Sequence, residues 1–92
     1  MIKNFRHRGL RMFFSQSDLR AIPAQHAPRL ERMLDRLDSA TRPEDMRLPG
    51  YVFHRLKGDA KGRYAVKVSG NWRITFAFDG PDACDVDLED YH

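Results

Sequence analysis

The sequence contains one cysteine, Cys84, so no intramolecular disulfide can form. A disulfide-stapled scaffold is excluded, and a lone thiol suits a reducing cytoplasm. No apolar run approaches the roughly 18 residues that a membrane-spanning helix needs. The opening MIKNFRHRG is basic, but no apolar stretch follows it, so no secretory signal is expected. Four scattered histidines and one cysteine offer no zinc-ligand spacing, and no metal or other cofactor is expected. No Ser/His/Asp motif, internal repeat or low-complexity segment stands out. The glycine-punctuated basic loop over 57–62 lacks the Gly-Lys-Ser/Thr ending of a phosphate-binding P-loop.

Lys and Arg are also missing from residues 74–92, which hold six acids. Residues 1–73 hold all 16 basic residues against seven acids, a balance of +9. The net charge of +3 therefore conceals a basic body and an acidic end. Such a body suits a polyanion such as RNA, or an acidic partner, and it can equally be a solvated surface. Arg outnumbers Lys twelve to four, which favours bidentate contacts with phosphate or carboxylate.

Ninety-two residues, 41% of them hydrophobic, are enough for one domain around one modest core. Its organising stretch is 63–78, RYAVKVSGNWRITFAF, which reads as a β-hairpin. A two-residue Gly70-Asn71 loop would mix polar and apolar side chains on both faces. A three-residue Ser69-Gly70-Asn71 loop pairs Val68 with Trp72, Val66 with Ile74 and Tyr64 with Phe76. Every large apolar residue then shares one face, and Lys67, Arg73 and Thr75 share the other, exposed one.

Upstream, residues 2–5 suit a short edge strand. Residues 7–15 suit a helix with Leu10, Phe13 and Phe14 inward and Arg6, Arg8 and Arg11 on the solvated side, weakened by Gly9. A second helix follows from Ala27, Leu30, Leu34 and Leu37, starting no earlier than about Ala24 because Pro28 must lie in its first turn. Its polar face, with Arg29, Glu31, Arg32, Asp35, Arg36 and Asp38, reads as solvated. Residues 41–50 form a loop with a helical turn after Arg42-Pro43, and 51–56 form a strand. Residues 83–89 form the last strand, with Cys84, Val86 and Leu88 inward and Asp85, Asp87 and Glu89 outward. Helices followed by sequential antiparallel strands predict an α+β domain with both helices on one sheet face. Sheet order following chain order would set Leu88 near Ile74 or Arg73, and Asp90, Tyr91 and His92 close to Arg73.

The chemistry-bearing residues are then His54, Lys57, Lys67, Arg73, Asp90, Tyr91 and His92. Metal-free RNA cleavage needs a base for the 2′-hydroxyl, cations for the phosphorane and an acid for the leaving 5′-oxygen. Histidine suits the proton transfers and arginine the phosphorane. Tyrosine can stack on an exposed base. Taken singly, His54 reads as structural, Arg73 as solvated, Tyr91 as a core plug and His92 as a frayed end. Their convergence is what carries the functional reading.

The runs Asn4-Phe5-Arg6-His7-Arg8-Gly9-Leu10, His54-x-Leu56-Lys57-Gly58-Asp59, Asn71-Trp72-Arg73-Ile74-Thr75-Phe76 and Asp90-Tyr91-His92 together resemble the HigB branch of the RelE/ParE superfamily. These are toxins of bacterial type II toxin–antitoxin systems. The resemblance implies a compact α+β toxin fold and a cytoplasmic, ribosome-dependent mRNA endonuclease that cuts in the A site. It implies catalytic positions at His54, Asp90, Tyr91 and His92 and cationic positions at Lys57 and Arg73. Arg73 is expected to join the catalytic set, and Lys57, Lys67, Lys61 and Arg63 are expected on backbone phosphates or ribosomal RNA. The implied partner is a HigA-type helix-turn-helix antitoxin, with operator DNA reached only through that complex. Pro28, and Arg55 where many relatives carry proline, depart from the pattern. Two other classes compete: a gyrase inhibitor like the ParE branch, against which the DYH ending argues, and an interaction module that binds only its antitoxin.

Overall fold

The computed structural model describes residues 1–90. Two helices, α1 (Arg8–Gln16) and α2 (Ala27–Ser39), precede four strands, β1 (His54–Arg55), β2 (Tyr64–Ser69), β3 (Trp72–Asp79) and β4 (Asp82–Asp90). The strands form one antiparallel sheet in chain order. Leu10, Phe13, Leu30, Met33, Leu34 and Leu37 from the helices and Val66, Ile74, Phe76, Val86 and Leu88 from the sheet make one buried cluster. The expected α+β architecture, with the helices on one sheet face, is therefore what the chain adopts.

Capping and close packing explain where the helices lie. His7 caps α1, its Nδ1 accepting the Leu10 N–H at 2.9 Å. Gly9 is there for space: a Cβ at this position would sit 2.4 Å from the Ala21 Cβ. Pro28 lies in the first turn of α2, after a short 3₁₀ turn over Ala24–His26, where its missing N–H has no partner to lose. Arg29 is not solvated, contrary to the polar-face reading. Its Nη2 donates to the carbonyls of Gly50 at 2.9 Å and Lys67 at 3.1 Å. Its guanidinium also stacks over the Tyr51 ring. Arg29 thus ties α2 to the segment that leads into β1.

Residues 2–5 do run beside the sheet edge, but parallel to β4, through bridges Ile2↔Ala83 and Phe5↔Val86. The hairpin keeps Tyr64↔Phe76 and Val66↔Ile74 but pairs Ser69, not Val68, with Trp72. The loop is therefore the two residues Gly70-Asn71, with Gly70 at φ 55°. Val68 is the extra residue of a β-bulge, which restores the apolar face that a plain two-residue loop would scramble.

A second irregularity corrects β4. Thr75 pairs with Asp87 and Ala77 with Cys84, so two residues of β4, Asp85 and Val86, oppose Phe76 alone. Asp85 takes φ 50°. The alternation shifts by one at this bulge. Ala83 becomes fully buried, and Cys84 turns to the other face instead of the core. The bulge is held from both sides. Asn4 Oδ1 accepts the Asp85 N–H at 3.0 Å, and Arg63 Nη2 donates to the Asp85 carbonyl at 2.8 Å.

The strand expected over 51–56 shortens to His54–Arg55. Val52 takes φ 50°, which breaks the extended run, although the Tyr51 carbonyl still accepts the Lys67 N–H at 2.7 Å. A β-branched residue in the left-handed region costs on the order of 1–3 kcal/mol. The Val52 side chain is 61% exposed, so it recovers little by packing. Glycine would relieve that strain, while its own extra chain entropy costs about 0.5–1 kcal/mol. Val52→Gly is therefore expected to stabilise the fold by about 1 kcal/mol, raising Tm by several degrees. A lowered Tm in a thermal melt would show that the strain has been misjudged.

Candidate active site

The sheet face away from the helices carries the site. In the register, Lys67 pairs with Arg73 and Arg73 with Glu89, forming one cross-strand row. His54, Ala65, Thr75 and Asp87 form the next row. Directly paired residues point to the same side of a sheet. His54, Lys67 and Arg73 accordingly line one cleft of about 350 Å³, walled by Val52, Gly70, Asn71 and Trp72.

His54 is exposed, with its Nδ1 at 3.0 Å from the Val52 carbonyl. A carbonyl only accepts, so Nδ1 carries the proton of this bond and the neutral ring presents Nε2 as an acceptor. The left-handed turn at Val52 is what brings its carbonyl back to the imidazole two residues on. Backbone strain here sets a tautomer.

Arg73 departs from the exposed position expected for it. Its side chain is only 18% exposed, and its Nη2 donates to Glu89 Oε1 at 3.1 Å. Thr75, expected on the solvated face, is fully buried. Its hydroxyl donates to Glu89 Oε2 at 2.6 Å and accepts from Arg63 Nη2 at 2.9 Å. Burial by itself raises the Glu89 carboxyl. The hydrogen bonds from Thr75 and Arg73 and the charges of Arg73 and Arg63 outweigh it, and hold Glu89 below its ordinary range. Glu89 is thus an anion wherever the protein meets neutral solution.

Arg63 was expected on RNA phosphates. It is 9% exposed, folded over the open face onto Thr75 and the Asp85 carbonyl. Burial, and next the Arg6 guanidinium, push its pKa down, though arginine remains charged. Lys57 and Lys61 are exposed and, with Arg63, line a separate hollow of about 490 Å³ at the connection between β1 and β2. Asp90 stands opposite Trp72, exposed at the end of β4 and one residue beyond Glu89. Tyr91 and His92 lie outside the described residues.

Sequence reasoning thus anticipated the meeting of His54, Lys67 and Arg73. It took Thr75, Glu89 and Arg63 for solvated or RNA-facing residues, and Trp72 for core alone. Thr75 and Glu89 did carry one signal, since each falls on Arg73's side of the sheet and within one residue pair of it. Among the described residues, no three His, Cys, Asp or Glu side chains converge as a metal site would require. No helix among them is long and apolar enough to cross a membrane.

The model of a family described as the RelE-like toxin of type II toxin–antitoxin system HigB matches residues 3–92. The chain is 40% identical to Endoribonuclease HigB of Proteus vulgaris over 92 residues, the full length of both proteins. It is 32% identical over 78 residues to Toxin HigB-1 of Vibrio cholerae serotype O1, which covers 83% of this chain and 82% of that protein. Since the match runs through both helices and all four strands, the chain belongs to the HigB-like toxins, the RelE-like partner of an antitoxin in a type II system.

Proposed function

We propose that this toxin is an endoribonuclease that needs no metal ion and cuts mRNA in the ribosomal A site, so halting translation in the cytoplasm. The observation that carries the reading is the shared cleft of His54, Lys67 and Arg73. A proton acceptor and two cations stand there on one rigid sheet. In the proposed reaction a base takes the 2′-hydroxyl proton and the 2′-oxygen attacks the adjacent phosphorus. The bond from phosphorus to the 5′-oxygen breaks, and an acid returns a proton to that oxygen. The products are a 2′,3′-cyclic phosphate and a 5′-hydroxyl. Arg73 stabilises the charge that builds on the phosphorane. His54 and His92 share the proton transfers, with Asp90 acting as a base or orienting a histidine. Tyr91 stacks on the nucleotide or orients it. Lys57, Lys61 and Lys67 hold backbone phosphates or ribosomal RNA. The family makes an antitoxin the partner, and we take it to be a HigA-type helix-turn-helix protein, whose complex with the toxin would repress their operon.

Mapping transcript 5′ ends after brief expression tests the activity. Cuts at codons within translated frames, absent when translation is blocked, are the expected result. Intact messages together with loss of DNA supercoiling would instead identify a gyrase inhibitor. Intact messages and normal supercoiling would leave antitoxin binding as the function.

The basic body gives a separate prediction. Affinity for ribosomes should fall steeply with salt, because each phosphate neutralised releases counterions, with a slope of about −0.7 to −0.9 per contact in log–log form. A filter-binding series across salt concentrations measures it. A flat line would remove polyanion contact as the driving interaction.

A further inference from the structure

We propose that Thr75 and Glu89 are positioning residues for Arg73, and that the buried Arg63 anchors them. The inference rests on the cleavage reading above, since it names what aims that reaction's arginine. Four groups form a continuous chain that runs from Arg63, just before β2, across β3 to β4. Arg63 Nη2 donates to Thr75 Oγ1, Thr75 Oγ1 donates to Glu89 Oε2, and Glu89 Oε1 accepts from Arg73 Nη2. The direction of each bond is fixed. A guanidinium only donates, so the Thr75 hydroxyl must accept from Arg63 and turn its own proton to Glu89. The carboxylate is then held by one oxygen and holds Arg73 with the other.

The arrangement is expensive to keep for stability alone. Arg63 is buried, and its Nη1 finds no hydrogen-bond partner among the described residues. Breaking the chain at Thr75 removes an acceptor from a buried cation, so the hydroxyl has a defined local task. Its other consequence lies in the cleft. An arginine has four side-chain torsions, and a paired carboxylate fixes its planar fork in one orientation. Glu89 also carries a negative charge beside the cation that meets the phosphate. A mere counter-ion there would weaken catalysis, so the positioning role predicts the opposite sign from a screening role when that charge is removed.

The experiment uses the full chain on programmed ribosomes under single-turnover conditions and under saturation, with wild type, Thr75→Val, Thr75→Ser, Glu89→Gln, Arg73→Ala and the Thr75→Val/Arg73→Ala double variant. Valine matches the shape of threonine without the hydroxyl. Thr75→Val is expected to lower kcat by about 10- to 100-fold, as misplacement of a reacting group does, with KM nearly unchanged. Thr75→Ser, which keeps the hydroxyl, should restore the rate. In Glu89→Gln the amide nitrogen cannot accept, so one link is lost and cleavage slows. A rate equal to or above wild type for Glu89→Gln would mean that Glu89 only screens, and would overturn the proposal. If Thr75 acts through Arg73, the double variant is no slower than Arg73→Ala, and losses that multiply overturn it. Should Thr75→Val fail to fold, Glu89→Gln decides from the solvent-accessible end. Thr75→Val at the wild-type rate beside a slow Arg73→Ala removes the positioning role and leaves the cleavage reading standing. Arg73→Ala at the wild-type rate removes the positioning role and Arg73 from the chemistry, and absence of cleavage by wild type removes the cleavage reading itself.

Discussion

Arg73→Ala should slow single-turnover cleavage by about 10²–10³-fold, the usual cost of one lost donor aimed at developing charge. The size follows from where the guanidinium sits. It is only 18% exposed, on the interior strand β3, in the same cleft as His54. Charge stabilisation is worth more there than at a fully wetted surface, because water screens the interaction less. The fold should survive the change. Glu89 keeps its bond from Thr75 and is 35% exposed, so water can replace the lost partner. A stability loss of about 1.5–3 kcal/mol is expected for a hydrogen bond between charged groups. Arg73→Lys separates charge from geometry. Lysine restores a cation without the planar fork, so it should recover part of the rate and not all. The checks are thermal melts and cleavage rates on the same preparations. A folded Arg73→Ala protein cutting at the wild-type rate would remove Arg73 from the chemistry.

His54→Ala is expected to cost about 10²–10⁴-fold in the cleavage rate, the range typical of a positioned proton-transfer group. The residue is exposed, and its one described polar contact is the bond to the Val52 carbonyl. Stability should therefore change by no more than about 0.5 kcal/mol, as for most surface substitutions. Added imidazole provides the second readout. Removal of the imidazole from the cleft it shares with Lys67 and Arg73 leaves room for a small base, and partial recovery of the rate would identify proton transfer as what was lost. His54→Ala at the full rate would move the proton transfers to His92, where a His92→Ala variant can be measured in the same assay.

The sequence and the structure agree where periodicity decides and part where distant side chains do. The apolar stripe of α2 and the shared face of Tyr64, Val66, Ile74 and Phe76 are local patterns, and both survive. The bulge at Val68 reconciles two local signals that disagree: Gly70-Asn71 suits a two-residue turn, while the apolar face needs one residue more. The bulge at Asp85 has no local signal. CDVDLE, residues 84–89, alternates without a flaw, and only Asn4 and Arg63, remote in the chain, show why the alternation breaks. For the same reason Thr75 read as a solvated threonine. Nothing beside it in sequence says that an arginine twelve residues earlier folds over it. In the site, Lys67 and Arg73 were legible because the hairpin register alone pairs them, and His54 joins them through the β1–β2 pairing, whose register was not read from the sequence. The hydrogen-bonded support of Arg73 was not, because it depends on rotamers. The roles of Tyr91 and His92 fall outside the described residues.

The strip of chain over residues 2–5 is zipped along β4, and the Asn4 side chain meets Asp85 across 81 positions of sequence. That places a timing constraint on synthesis. The outer margin of the sheet closes only after β4, which carries Glu89, has been made. At about 5–20 residues per second, the opening segment waits several seconds for its partner. Pairings so far apart in sequence also form slowly. A nascent chain therefore cannot complete the sheet edge, or the Glu89 support of Arg73, until β4 has been made.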